Sequence, residues 1–287
     1  MKKNRVCVSA LLAFVTLSSV GAMAEEMTAA PAIVITAPAS FLQWTGLYIG
    51  ANGGYAWSQS GVAYSPNDPA AQAGTCRGVG GGRCIPAIDF GVRGPLAGGL
   101  VGFNWQINSM WMTGVEADYQ WAHFTGTGMS AFHLGDVGNA TMIATQSVTS
   151  FGTLRARMGV IPIAPLLLYG TGGLAFGQVG ETFNTPSPGA GTLTSGSFSY
   201  VCGAAGTTCF AGSPSKMMLG FAVGGGAEMA LTTRLTLKTE ILYVDLGVPR
   251  GTVVAQAAAP GTSPASFSAT LAPAGFVVAR GGLNFRF

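Results

Sequence analysis

The chain ends on twelve residues in which apolar and polar positions alternate. Val277, Ala279, Gly281, Leu283, Phe285 and Phe287 share one parity, and Arg280, Gly282, Asn284 and Arg286 share the other. A period of two is that of a β-strand, and a greasy face opposite a charged one suits a strand with lipid on one side and a polar lumen on the other. The same reading finds seven more strand-like segments, at 44–58, 96–107, 111–121, 147–160, 166–177, 217–228 and 234–246. The third is the cleanest, with Val115, Ala117, Tyr119 and Trp121 against Glu116, Asp118 and Gln120. In the fourth, Leu154, Ala156, Met158 and Val160 oppose Thr153, Arg155 and Arg157; in the seventh, Leu237, Thr239, Ile241 and Tyr243 oppose Lys238 and Glu240. The fifth is glycine-rich and its facing is ambiguous.

Connections alternate in length. Short turns follow the second, fourth and sixth segments, at 108–110, 161–165 and 229–233, whereas the first, third, fifth and seventh are followed by long stretches. Short turns at one rim and long loops at the other predict an all-β fold, an eight-stranded antiparallel up-and-down transmembrane β-barrel with short periplasmic turns and long extracellular loops. A β-sandwich, the main soluble alternative, has no reason for that alternation. Prolines agree, since Pro162 and Pro165 sit in a turn and most others in proposed loops, where a lost ladder donor does little harm.

The amino terminus sets the compartment. Lys2, Lys3 and Arg5 precede an apolar stretch at 6–20 and the small-x-small triplet Ala22-Met23-Ala24, which marks 1–24 as a secretory signal peptide. Residues 25–43 read as a periplasmic leader and 44–287 as the barrel domain. Composition fits: 48% of residues are hydrophobic and only 9% charged, yet no later apolar run is long enough for a transmembrane helix. A barrel reconciles the two, because alternation spreads apolar residues along the chain. The formal charge of +3 includes the three positive residues of the signal peptide, so the exported chain is close to neutral and nothing points to nucleic acid.

Charges on the lumen parity form the main candidate constellation. Glu116, Asp118, Glu228 and Glu240 face Arg155, Arg157, Lys238, Arg280 and Arg286. Eight strands enclose an interior just wide enough for side chains to fill it, so these groups are expected to interlock as a plug rather than to line an ion pathway. Glycines beside them, such as Gly224 and Gly226 before Glu228, leave room for the large side chains. Trp105, Trp111, Phe285 and Phe287 at the short-turn rim, with Trp57 and Trp121 at the other, predict the two aromatic girdles of a membrane barrel.

Four cysteines remain after export. Cys76 and Cys84 share the first long loop and Cys202 and Cys209 the third, so two local disulfides are the simplest of the three connectivities; a four-cysteine zinc site would need CxxC-like spacing and converging loops. No cofactor is expected. Any catalytic triad would have to use His123 or His133, the only two histidines. His123 stands at the outer end of the third strand, but Thr125 occupies the place of the serine in the His-x-Ser element of small outer-membrane lipid A deacylases.

The blocks Trp44-Thr-Gly-Leu-Tyr-Ile-Gly-Ala-Asn-Gly-Gly-Tyr-Ala-Trp57, Gly99-Leu-Val-Gly-Phe-Asn-Trp-Gln106, Gly114-Val-Glu-Ala-Asp-Tyr119, Phe151-Gly-Thr-Leu-Arg-Ala-Arg157, Tyr169-Gly-Thr-Gly-Gly-Leu-Ala-Phe-Gly177 and Leu237-Lys-Thr-Glu-Ile-Leu-Tyr-Val-Asp-Leu-Gly247, with the final strand, occur in order. Over 44–287 the chain resembles the small porin-family outer-membrane proteins of alphaproteobacteria, often called outer-membrane immunogenic proteins. The resemblance implies a Gram-negative outer-membrane barrel in contact with lipid and lipopolysaccharide. It also implies insertion by the outer-membrane assembly machinery, with the strand ending in Phe285 and Phe287 as the recognition signal, and it supplies no catalytic or ligand site. The loops depart from the pattern, above all 252–273, rich in Ala, Pro, Ser and Thr. That segment and the tail of the first loop are expected to be flexible contact surfaces without a core. The expected function is structural and surface-exposed, supporting envelope integrity with loops open to adhesion or host contact; the alternatives are a narrow porin for small solutes and a lipid-active enzyme.

Overall fold

The computed structural model describes residues 43–76 and 85–287. The expected signal peptide, the leader up to residue 42, and Cys84 therefore lie outside the described residues. Eight long strands dominate: β1 (Gly46–Pro66), β2 (Ile88–Gln106), β3 (Trp111–Leu134), β4 (Gly138–Ile163), β5 (Leu166–Pro186), β6 (Ser215–Ala230), β7 (Leu235–Asp245) and β8 (Gly275–Arg286). Each pairs antiparallel with its sequence neighbour, and β8 returns to β1 through Tyr48 opposite Arg286 to Trp57 opposite Val277. The ring is closed, so no strand edge of the lower barrel is left without a ladder partner.

Facing follows the alternation. Outward positions of the lower barrel are large and apolar, among them Ile49, Val101, Leu154, Leu174, Leu219 and Ile241, all substantially exposed. Trp105, Trp111, Phe285 and Phe287 mark the lower limit of this band, and Trp57 and Trp121 the upper. Above the upper limit the outer wall changes to Thr125, Thr127, Thr145, Ser147, Gln178 and Thr182. The wall thus passes from lipophilic to hydrophilic within the same strands.

The long connections differ from expectation. The stretch after the third strand is a hairpin, since β3 and β4 stay paired from Trp111 opposite Val160 to Leu134 opposite Gly138 around a single 3-10 turn, Gly135–Val137. The segment 252–273 is not a coreless flexible surface: Arg250–Ala255 and Ser266–Leu271 are strands paired with each other. The tail of the first loop lies in β2, where Ile88, Phe90 and Val92 are buried. Thr208–Gly212 joins β5 to Arg250–Ala255, and Ser266–Leu271 pairs with β1, so a second ring sits on the first with three substituted staves. Composition misleads here because small residues still close a sheet when alternate positions carry Val253, Phe267 and Leu271 inward, all at most 4% exposed.

The upper ring has a packed interior of Tyr64, Phe90, Phe132, Met142, Phe183, Phe210 and Phe267. It is capped by a short helix, Pro69–Thr75, whose N-cap Asp68 accepts from the Ala71 N–H at 2.8 Å, and by a sheet of Gly191–Ser195, Phe198–Cys202 and Ser263–Pro264. Cys202 and Cys209 are joined by a disulfide.

Candidate functional site: the charged lumen

Three tiers fill the lower barrel. At the short-turn end Trp44, Met112, Ile161 and Leu167 form a small apolar cluster. Near the upper limit of the outer apolar band Phe124, Phe151 and Phe276 stack on one another, with ring centroids 5.0 to 6.3 Å apart. Between them lies the charged tier. Its members come from inward parity on five strands, β3, β4, β6, β7 and β8, and all are at most 6% exposed.

Arg155 is the hub. Its Nη2 donates to Glu116 Oε1 at 2.7 Å and Asp118 Oδ2 at 2.9 Å, Nη1 to Glu240 Oε1 at 3.0 Å, and Nε to Thr153 Oγ1 at 2.8 Å. Glu116 is its neighbour on β3, whereas Glu240 reaches it from β7 across the lumen. Arg280 on β8 crosses in the same way, donating from Nη1 to Asp118 Oδ1 at 3.1 Å and from Nε to Glu240 Oε2 at 2.8 Å. Lys238 Nζ lies 2.6 Å from both oxygens of Glu116. Arg157 donates to Glu228 Oε2 at 2.8 Å and to the Tyr48 hydroxyl at 2.8 Å, and its guanidinium lies 4.3 Å from the Tyr169 ring centroid.

Four carboxylates thus meet four cations with no net charge. Each carboxylate is held by several donors: Glu228 Oε1 also accepts from Thr236 at 2.6 Å and Asn284 at 2.9 Å, and Glu240 Oε1 from Tyr169 at 3.0 Å. Such compensation allows ionised groups to be buried, because a charge left alone carries a desolvation cost of several kcal/mol.

The ninth expected member is elsewhere. Arg286 lies over the Trp44 ring at 5.1 Å from its centroid, with Nη1 buried and unpartnered, and bridges no carboxylate among the described residues. Six residues along β8 from Arg280 correspond to roughly 20 Å, which carries it to the short-turn rim. Two contributors escaped the sequence reading, Tyr48 and Tyr169. Each faces a glycine across the ladder, Tyr48 opposite Gly102 and Tyr169 opposite Gly226, and a Cβ at either glycine would fall on the tyrosine ring. That pairing signal needs the strand register, which one sequence does not display.

His123 and His133 both project outward on β3, and His133 Nδ1 lies 3.3 Å from Asn139 Oδ1. Neither joins the buried tier.

The model of the outer membrane protein beta-barrel domain matches residues 10–271 of this sequence. The chain belongs to that family. It is 32% identical over 240 residues to the 31 kDa outer-membrane immunogenic proteins of Brucella melitensis and Brucella suis, covering 81% of this chain and 87% of each relative. Among solved structures, OprG from Pseudomonas aeruginosa aligns with a TM-score of 0.43 at 17% identity, over 85% of this chain and 96% of that one. The outer membrane protease OmpT from Escherichia coli aligns with a TM-score of 0.40 at 10% identity, over 84% and 97%. The protein is a β-barrel of the Gram-negative outer membrane, and its outward apolar band is the lipid-facing surface.

Proposed function

We propose that the protein is a closed structural barrel whose lumen is plugged and whose outer half serves as a surface-exposed platform, supporting envelope integrity and contact with other surfaces. The observation that carries this reading is the Arg155 guanidinium bonded to carboxylates from opposite sides of the lumen. An aqueous path would have to separate Arg155 from Glu240 and Arg280 from Asp118, then pass the Phe124, Phe151 and Phe276 stack. Each separation exposes unpaired charge in a confined space, at several kcal/mol apiece. Passage of small solutes through a narrow pore is therefore the weaker reading.

Lipid and lipopolysaccharide are the expected partners of the apolar band, and the assembly machinery that of the strand ending in Phe285 and Phe287. The loops that would meet a host or surface ligand are those of the upper ring and its cap. A catalytic role is not part of this proposal, since Thr125 stands where the lipid A deacylases carry the serine beside their histidine. Conductance across planar bilayers tests the plug: the purified protein is expected to give no sustained open-pore steps, and steps that change size on Glu240→Gln would replace the plug with a pore. Lipid A from cells overexpressing the protein is expected to be unchanged.

A further inference from the structure

The two rings do not join smoothly where β6, β7 and β8 give way to their upper continuations. The breaks fall at 213–214, 246–249 and 272–274, and each holds a proline, Pro214, Pro249 and Pro273, that has no N–H to give to a ladder. Beside the first two breaks lies a cavity of about 220 Å³, walled by Val179, Met218 and Val248 and reached by Glu181, Lys216 and Arg250. It lies at the upper margin of the lipid-facing band, where the outward residues of β5 turn polar at Gln178 while Met217 beside it on β6 is still apolar.

Glu181 is the anomaly of this cavity. The residue is 5% exposed, and neither of its carboxyl oxygens has a hydrogen-bond partner. Its backbone N–H is held by Pro214 O at 2.9 Å, which fixes the residue beside the break. Behind the cavity wall, Gln146 faces Glu181 across the ladder and the Tyr64 phenol feels its charge; the Gln146 Nε2 and the Tyr64 hydroxyl are buried and unpartnered as well. Lys216 makes no hydrogen bond to Glu181; its ammonium turns to the Arg250 carbonyl oxygen at 3.5 Å. Buried polar groups normally have partners, and a buried carboxylate with both oxygens unpartnered in the wall of a cavity points to an occupant that supplies them.

We propose that this cavity binds a small zwitterion with an apolar body, its ammonium group against Glu181 and its carboxylate between Lys216 and Arg250. A carboxylate at one end and two cations at the other match opposite charges on one ligand, and the aliphatic walls match its body. A cavity of about 150 Å³ holds benzene, so the present one accepts a molecule the size of an aliphatic amino acid. Burial pushes the Glu181 carboxyl up to about 7, and Lys216 opposes that shift. The charged and titratable groups facing it are Lys216 and the Tyr64 phenol, with Arg250 in the cavity wall, so binding of an ammonium group is tightest above neutral pH and weakens as Glu181 takes up its proton. The site is separate from the charged lumen and stands or falls without the plug.

Titration calorimetry of the full protein purified from outer membranes tests this with leucine, isoamylamine and 4-methylpentanoate, which share the apolar body and differ in their charged ends. Leucine is expected to bind more tightly than either single-headed analogue. Glu181→Gln is expected to weaken leucine and isoamylamine by about tenfold and to leave 4-methylpentanoate unchanged. Lys216→Gln should do the converse, and Val248→Trp, which fills the cavity without touching a charge, should abolish binding of all three. The heat-dependent gel shift of a folded barrel checks each variant; if Glu181→Gln does not fold, the ligand series on the parent protein and the other two variants decide. Absence of leucine binding at millimolar concentration overturns the proposal, as does leucine binding no tighter than isoamylamine or 4-methylpentanoate.

Discussion

At the scale of single residues, the lumen charges are a set whose members depend on one another. Removing Arg155 leaves Glu116, Asp118 and Glu240 each short of a donor in a dry interior, and Arg155→Ala is expected to cost about 3–5 kcal/mol, read from the denaturant midpoint of the detergent-solubilised barrel. Gly102→Val is expected to displace the Tyr48 ring and with it the hydroxyl that bridges Arg157 and Glu116, again lowering the midpoint. Glu181 gives a pH signature. Burial holds its proton more tightly in the folded protein than in the unfolded one, so stability is highest in the ordinary carboxylate range and declines as pH rises through about 7. Melting temperatures at pH 5 and pH 8 are expected to differ more for the parent protein than for Glu181→Gln. Parity alone put the nine proposed lumen charges on one face, and the structure gathers eight of them into one tier with Arg286 buried apart from it. Tyr48 and Tyr169 were not legible, since an amphipathic ring suits the lipid interface as well as the lumen.

At the scale of elements, the strand centres were readable and their outer ends were not. Turns at 108–110 and 161–165 interrupt the alternation, so the lower hairpins could be placed from sequence. The upper ends of β3 and β4 carry Thr and Ser outward instead of Leu and Trp, and the apolar-outside criterion therefore lost them where the strand leaves the lipid band. Gly126 and Gly128 beneath packed Val92 and Phe90 also thinned the inward signal. The disulfide between Cys202 and Cys209 closes a short loop within the cap. Its removal by Cys202→Ser with Cys209→Ser is expected to cost about 2 kcal/mol locally, showing as faster proteolytic nicking near 203–208 while the gel shift of the barrel persists.

At the scale of the whole molecule, two interiors of opposite character share one wall. The lower is built around a charged tier that is neutral in itself and is surrounded by lipid; the upper is aromatic and aliphatic, surrounded by a hydrophilic exterior. Phe267→Ala in the upper core, where the ring packs on Phe210 at 5.2 Å between centroids, is expected to destabilise that half by about 3–5 kcal/mol. Hydrogen exchange should then rise in 250–271 and stay low in the lipid-facing strands. From the sequence alone followed the closed all-β ring, its outward lipid face and the parity of its buried charges, because these depend on alternation within single strands and on the spacing of turns. Tertiary structure alone decided which carboxylate meets which cation, that Arg286 stands apart over Trp44, and that Ala-, Pro- and Ser-rich stretches rejoin as staves of a second ring. The physical reason is register: a period of two tells which face a residue takes, while the height at which it meets a neighbour is set only when all eight strands close on one another.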